Sequence, residues 1–378
     1  MLTLPPLSLY IHIPWCVRKC PYCDFNSHTS EQALPEERYV DALLADLDFQ
    51  LAYVQGRDLH SIFIGGGTPS LFSAKAIARI LQGVEQRIPF SRDIEITLEA
   101  NPGTFEQEKF AGYRAAGVNR LSIGVQSFNQ QHLKNLGRIH DGEEALLAAS
   151  RAQAAGFDNF NIDLMHGLSK QTAEQALQDL QQAIDLGAPH ISWYQLTIEP
   201  NTAFYKSPPI IPNDDQLADI QQAGESLLAQ QGFQHYEVSA FSQQGRHSRH
   251  NTNYWQFGDY LGIGAGAHGK ITQLAQQHIK RQWQTRSPAD YLSKQNDYSA
   301  GSRLLSAEEL PLEFIMNALR LHQGFSIALF QQRTSLDFEA IAATINTLSH
   351  KQLLQRSGDS IATTALGRRF LNDVLAAF

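Results

Sequence analysis

The chain has 378 residues, 43% of them hydrophobic and 18% charged, which excludes a disordered polymer and leaves room for a large core spread over two or three domains. Its formal net charge of -8 excludes a polyanion as main partner, because neutralising phosphates needs a surplus of Lys and Arg, so no nucleic acid is expected. No run of about 18 apolar residues occurs, and the opening MLTLPPLSLYIHIPW lacks a basic start, an apolar stretch and a small-residue cleavage site, so a cytoplasmic chain without a transmembrane segment is expected.

LSLYIHI (7 to 13) predicts the first strand, and it runs directly into Cys16, Cys20 and Cys23, the only three cysteines of the chain. In PEERYVDALLADLDFQLAYV the residues Val40, Leu43, Leu44, Leu47 and Leu51 recur at helical spacing. HSIFI (60 to 64) is a second strand ending on GGGT, and Ile77, Ile80, Leu81, Val84 and Ile88 mark the helix after it. IEITLE (94 to 99), RLSIGVQ (120 to 126), NFNIDLM (159 to 165) and ISWYQLTIE (191 to 199) complete a set of six. Strand then helix, repeated, means parallel pairing with the helices packed outside.

The fold class is therefore α/β, with an open doubly wound sheet or a (β/α) barrel as the choices. Glu99, Gln126 and Asp163 fall at or near the ends of successive strands. A barrel brings such ends to one mouth, which favours a partial barrel of about six parallel strands.

Residues 200 to 300 are less regular. YKSPPIIPNDD reads as a Pro-rich crossing loop, HYEVSAF as a further strand, and HNTNYWQFGDYLGIGAGAHGK as loop. In GIGAGAHGK, Gly262, Gly264 and Gly266 suggest close backbone packing, and no chemistry is assigned to it or to His268. Near SAEELPLEFIMNALRL a new unit begins, with Ser306 and Glu309 at capping-box spacing. Two short helices (326 to 332 and 337 to 349) and a hairpin around LQRSGDSIATT give it a winged-helix-like order. The expected division is 1–235, 236–300 and 301–378.

Thiolates are soft ligands, and three of them spaced three and two residues apart on one loop suit a compact metal centre. A structural zinc site wants a fourth ligand, for which His12 or His28 would serve. An iron-sulfur cubane normally takes four thiolates, so three leave one iron open to an exchangeable ligand.

The spacing C-x3-C-x2-C after an apolar strand resembles the radical S-adenosylmethionine (SAM) superfamily. The wider set YIHIPWCVRKCPYCDFNSH, IFIGGGTPS, EANPG, GVQSF, LGRIH, IDLMHGL and HNTNYW resembles, over essentially the whole chain, the HemW heme chaperones, relatives of the anaerobic coproporphyrinogen III oxidase HemN. The resemblance implies a 4Fe-4S cluster on Cys16, Cys20 and Cys23, with SAM on the fourth iron. It implies Tyr10, Gly66 and Glu99 as contacts of that SAM, and Gly67, Thr68, Gln126, Arg138 and Asp163 as contacts of a second SAM position. It also implies haem binding through HNTNYW, where His250 is the candidate axial ligand and Tyr254 and Trp255 suit a porphyrin face. Haem, a haem-acceptor protein and a cellular electron donor are the expected partners, with transient contact to membrane-bound acceptors. The alternative is the oxidase itself, an oxygen-independent decarboxylating enzyme. The oxidase motif continues to a further cysteine two residues after the third, where this chain has Asp24 and then Phe25. That letter, and the nine residues before Tyr10 where the oxidase has a longer segment, favour the chaperone without oxidase activity.

Overall fold

The structure is a computed structural model that describes residues 1–29, 33–103 and 108–378. Six parallel strands pair in chain order: β1 (Leu7–Ile13), β2 (Leu59–Gly66), β3 (Phe90–Ala100), β4 (Arg120–Gln126), β5 (Phe160–His166) and β6 (His190–Gln195). The connecting helices include α1 (Glu36–Gln50), α2 (Ala74–Glu85), α3 (Gly142–Ala154) and α4 (Ala173–Asp185). Each presents an apolar stripe to the sheet: Ile77, Ile80, Leu81 and Val84 of α2 are all buried, as are Val40, Leu43 and Leu47 of α1. Asp141 and Thr172 cap α3 and α4 through reciprocal capping boxes with Glu144 and Gln175.

HYEVSAF forms a hairpin rather than one strand: β7 (Gln234–Glu237) and β8 (Ala240–Ser242) pair antiparallel, and β8 extends the sheet beyond β6. The larger departure from expectation is HNTNYWQFGDYLGIGAGAHGK, which is not loop. It folds as helix α5 (Arg249–Trp255), strand β9 (Asp259–Ile263) and the start of β10 (His268–Gln273). Ser248 caps α5 by accepting from the Asn251 N–H, and the buried Glu95 carboxylate of β3 accepts from the Arg249 and His250 N–H groups. Strand β9 pairs parallel to the open edge of β1, and β10, β11 (His278–Gln284) and β12 (Ser299–Leu304) follow antiparallel. Residues 236–300 thus continue the main sheet, twelve strands in all among the described residues.

One core runs from Leu7 to Tyr298, and a separate cluster centred on Phe314, Phe330, Ile345 and Ile361 belongs to the C-terminal unit. That unit has helices α6 (Leu310–Ala318), α7 (Ile327–Thr334) and α8 (Glu339–His350), and a hairpin of β13 (Leu354–Ser357) with β14 (Ser360–Thr363). The Ser306 and Glu309 pair closes the expected capping box before α6.

Candidate functional site

A cavity of about 770 Å³ opens at the C-terminal ends of the parallel strands. Gly66, Ala100, Gln126, Met165 and Gln195, from the ends of β2 to β6, all line it, so the sheet curves as a partial barrel. The cysteine loop covers one side, with all three cysteines on the wall. A tight turn brings Cys20 and Cys23 together, closed by the Cys23 N–H on the Cys20 carbonyl at 3.2 Å. Burial pushes the Cys16 and Cys23 thiols up, against hydrogen bonds that lower them from Thr68 and Ser27 to Cys16 and from the Phe25 backbone and Ser27 to Cys23. The two histidines considered as fourth ligands have other partners: His12 Nε2 is bonded to the Asn26 carbonyl at 2.8 Å and His28 Nε2 to Asn26 Oδ1 at 3.2 Å, and the described residues, the cysteines included, hold no preformed set of three or more His, Cys, Asp or Glu.

The loop is laced to the glycine turn after β2. Gly67 N–H donates to the Ile13 carbonyl at 2.8 Å and Thr68 N–H to the Trp15 carbonyl at 2.7 Å. Gly66 takes φ +120°, and a Cβ there would lie 2.6 Å from the His12 ring; at Gly67 it would lie 2.5 Å from the Trp15 carbonyl oxygen. Gly66 is required by its positive φ and the His12 ring, and Gly67 by the close approach of the cysteine loop backbone.

Glu99 accepts from the Gly66 N–H at 3.0 Å. Deep placement and the neighbouring Asp163 raise its carboxyl from 4.5 to about 8. Asp163 accepts from Asn161 at 2.7 Å and Ser122 at 3.1 Å, and burial raises it too. Gln126 sits at φ +70°, held by the Tyr194 hydroxyl donating to its Oε1 at 2.7 Å. Arg138 donates to Asn101 Oδ1 and the Gly124 carbonyl, each at 2.7 Å, and to Cys20 Sγ at 3.6 Å, while its buried Nε has no partner. Thr68 lines the same cavity and accepts from Asn101 at 3.2 Å. Of the residues expected around SAM, Gly66, Gly67, Thr68, Glu99, Gln126, Arg138 and Asp163 meet here. Tyr10 does not.

Tyr10 lines a second cavity, about 800 Å³, whose wall shares Gly66, Glu99 and Phe25 with the first. Its hydroxyl donates to His12 Nδ1 at 3.0 Å, and His12 Nε2 donates to the Asn26 carbonyl at 2.8 Å. Tyr254, Trp255, Phe257, Tyr260 and Trp283 supply aromatic walls, and Lys270, Arg281 and Arg286 supply positive charge. Tyr254 packs edge-on against Tyr260 at 4.5 Å. Two buried polar atoms of lining residues, Trp255 Nε1 and Gln284 Oε1, have no partner. Aromatic faces and cations fit a flat apolar ligand with acidic substituents, such as haem.

His250 does not face this cavity. It is 1% exposed, with Nδ1 paired to the Ser61 hydroxyl at 3.0 Å and Nε2 to the Tyr254 hydroxyl at 2.8 Å. Together with Asn253, which donates to Ser8, it ties α5 to β1 and β2 inside the barrel. The expected axial ligand therefore presents no free nitrogen here, because the network that anchors its helix has consumed both. Sequence reasoning also missed Tyr194, Asn101, Tyr260, Arg281, Trp283 and Arg286. The legible trace was in HIKRQWQ, where Arg281 and Trp283 share one face of a strand.

A family model described as the Radical SAM superfamily matches residues 10–181, and one described as the HemN C-terminal domain matches residues 305–370. The protein called heme chaperone HemW in Escherichia coli is 50% identical over 100% of this chain and 99% of its own length. That of Haemophilus influenzae is likewise 50% identical, over 99% of this chain and 98% of its own, and that of Bacillus subtilis is 32% identical over 98% of each. Among solved structures, coproporphyrinogen III oxidase (HemN) from Escherichia coli superposes with a TM-score of 0.83 at 24% identity, over 99% of this chain and 90% of that one, a likeness of fold. On full-length identity at this level, the chain belongs to the HemW family within the radical SAM superfamily.

Proposed function

We propose that this chain is a cytoplasmic haem chaperone, which binds haem in the aromatic cavity and hands it to an acceptor protein, membrane-bound acceptors included. The observation that carries the reading is the wall shared by the two cavities: Gly66, Glu99 and Phe25 border both the three-cysteine site and the aromatic, cation-lined chamber. The relatives sharing half of its residues along the whole chain carry the name of that activity, which supports the same reading.

Cys16, Cys20 and Cys23 would hold the 4Fe-4S cluster. When bound and reduced by a cellular donor, that cluster supplies an open iron able to chelate SAM and pass it one electron. The chain's own groups do the rest. Arg138 beside Cys20 offsets the negative charge of a thiolate. Glu99 sits where a carboxylate receives ribose hydroxyls or an ammonium group of a first SAM, with the Gly66 backbone, whose N–H it accepts from, beside it. Gln126, Arg138 and Asp163, with Gly67 and Thr68, form the second SAM position. Phe25, 60% exposed at the mouth where the oxidase motif has a further cysteine, adds no fourth thiolate.

Anaerobic reconstitution should load about four irons and four sulfides per chain. Haem added to that sample should bind, while coproporphyrinogen III with SAM and a reductant should give no multiple-turnover vinyl formation. Zinc without sulfide, or no haem binding, would overturn the reading.

A further inference from the structure

Three histidines stand at or behind the aromatic cavity, and they differ in what their ring nitrogens do. His12 has both engaged, by Tyr10 and Asn26, and His250 has both engaged, by Ser61 and Tyr254. His268 lines the cavity from the first position of β10, is exposed, and has neither nitrogen hydrogen-bonded among the described residues. The turn before it, GIGAGA, is held in place by the chain around it: Gly264 and Gly266 take φ +100° and +81°, and Gly266 N–H and the Ala267 carbonyl bond across to β11 and its following residue at 2.9 and 2.8 Å. An imidazole on a rigid strand end beside Trp283 is thus offered to whatever fills the chamber.

We propose that His268, and not His250, supplies the axial nitrogen to haem iron in this cavity, with Arg286 receiving a propionate. Imidazole is a common axial ligand, and it needs a free lone pair, which His268 alone of the three has. Arg286 lies on the same rim, close enough for its charge to act on His268, and no hydrogen bond or ion pair engages its guanidinium among the described residues. Arg281 and Lys270 are already committed, to Glu313 and Tyr260 and to Asp259, so they set the sign of the field without offering a bare cation. A chamber of 800 Å³ is in the range that encloses ligands of this size. His250 acts through Tyr254, whose hydroxyl it holds and whose ring forms part of the wall.

The inference rests on the haem reading, and one experiment separates the two. The reconstituted full chain is titrated with haem, and difference spectra against the haem-free protein are recorded for wild type, His268→Ala, His268→Met and Arg286→Ala. Wild type should show the bands of imidazole-ligated haem. His268→Ala should move those bands and weaken affinity on the order of 10-fold or more, and added imidazole should restore the wild-type positions. His268→Met should bind haem with altered bands, which keeps the test valid if the alanine variant folds poorly; Arg286→Ala should weaken binding with bands unmoved. Superimposable spectra for wild type and both His268 variants would overturn the ligand assignment while leaving the haem reading intact. No difference spectrum in wild type would overturn both.

Discussion

At the scale of single residues, the cysteines were the most legible feature, because their spacing keeps all three on one short loop, and that loop lies on the wall of one cavity. They carry the first prediction: Cys20→Ala should drop iron and acid-labile sulfide from about four of each per chain to near zero after reconstitution, while leaving the fold intact by circular dichroism. The surroundings of His250 were not legible, for a physical reason. A histidine in a polar stretch looks free until the partners of its ring are known, and those partners, Ser61 and Tyr254, lie 189 residues away and one helical turn away. Its removal should therefore act on stability. His250→Ala leaves the Tyr254 hydroxyl without that partner and Ser61 with Ser8 alone, and should cost about 1–3 kcal/mol in urea denaturation of the cluster-free protein.

At the scale of elements, the parallel strands declared themselves, since two-sided apolar runs have few alternatives: 7–13 and 120–126 agree residue for residue with the expected spans. The stretch after His250 did not. Its helix has seven residues and depends on the distant Glu95 carboxylate, and its strand β9 depends on the vacant edge of β1, neither of which is visible locally. The glycine turn shows the opposite case, where local letters held a long-range meaning. GGGT signalled close approach without saying to what, and the answer is the His12 ring for Gly66 and the backbone of the cysteine loop for Gly67. Gly67→Ala should therefore cost about 1–3 kcal/mol, because its Cβ meets a carbonyl rather than a flexible side chain. Cluster content should fall with it, as the segment from Trp15 to Cys16 is pushed away from the turn.

For the molecule as a whole, the same burial that builds the cavities leaves opposing sets of ionisable groups inside the fold. Glu99, Asp46 and Asp179 are raised to about 8, 7 and 6, so the folded chain keeps protons that the unfolded chain releases near pH 4. Their contribution falls as pH rises from about 4 to about 8. His12, His166, His140, His250 and His322 are lowered to about 4, 4, 3, 3 and 3, so the unfolded chain takes up protons first, and their contribution grows as pH rises toward about 6.5. The two trends oppose each other below pH 6.5. Well above it the histidines are neutral in both states, and the raised carboxyls titrate, joined near pH 8 by the buried Lys270 ammonium, which burial lowers to about 8 and whose trend opposes theirs. Stability of the cluster-free protein should therefore decline from about pH 6.5 and level off toward pH 8, with Glu99 the largest contributor to the decline. Glu99→Gln should flatten that decline and raise the thermal midpoint at pH 8 by about 2–4 °C. A cationic ligand seated on Glu99 favours its ionised form, so SAM should raise the midpoint of the cluster-loaded wild type more at pH 8 than at pH 6.5, and in Glu99→Gln the difference between the two pH values should vanish. Equal ligand shifts at both pH values in wild type would remove Glu99 from the ligand's contact set, and with it the shared wall as the link between the two cavities.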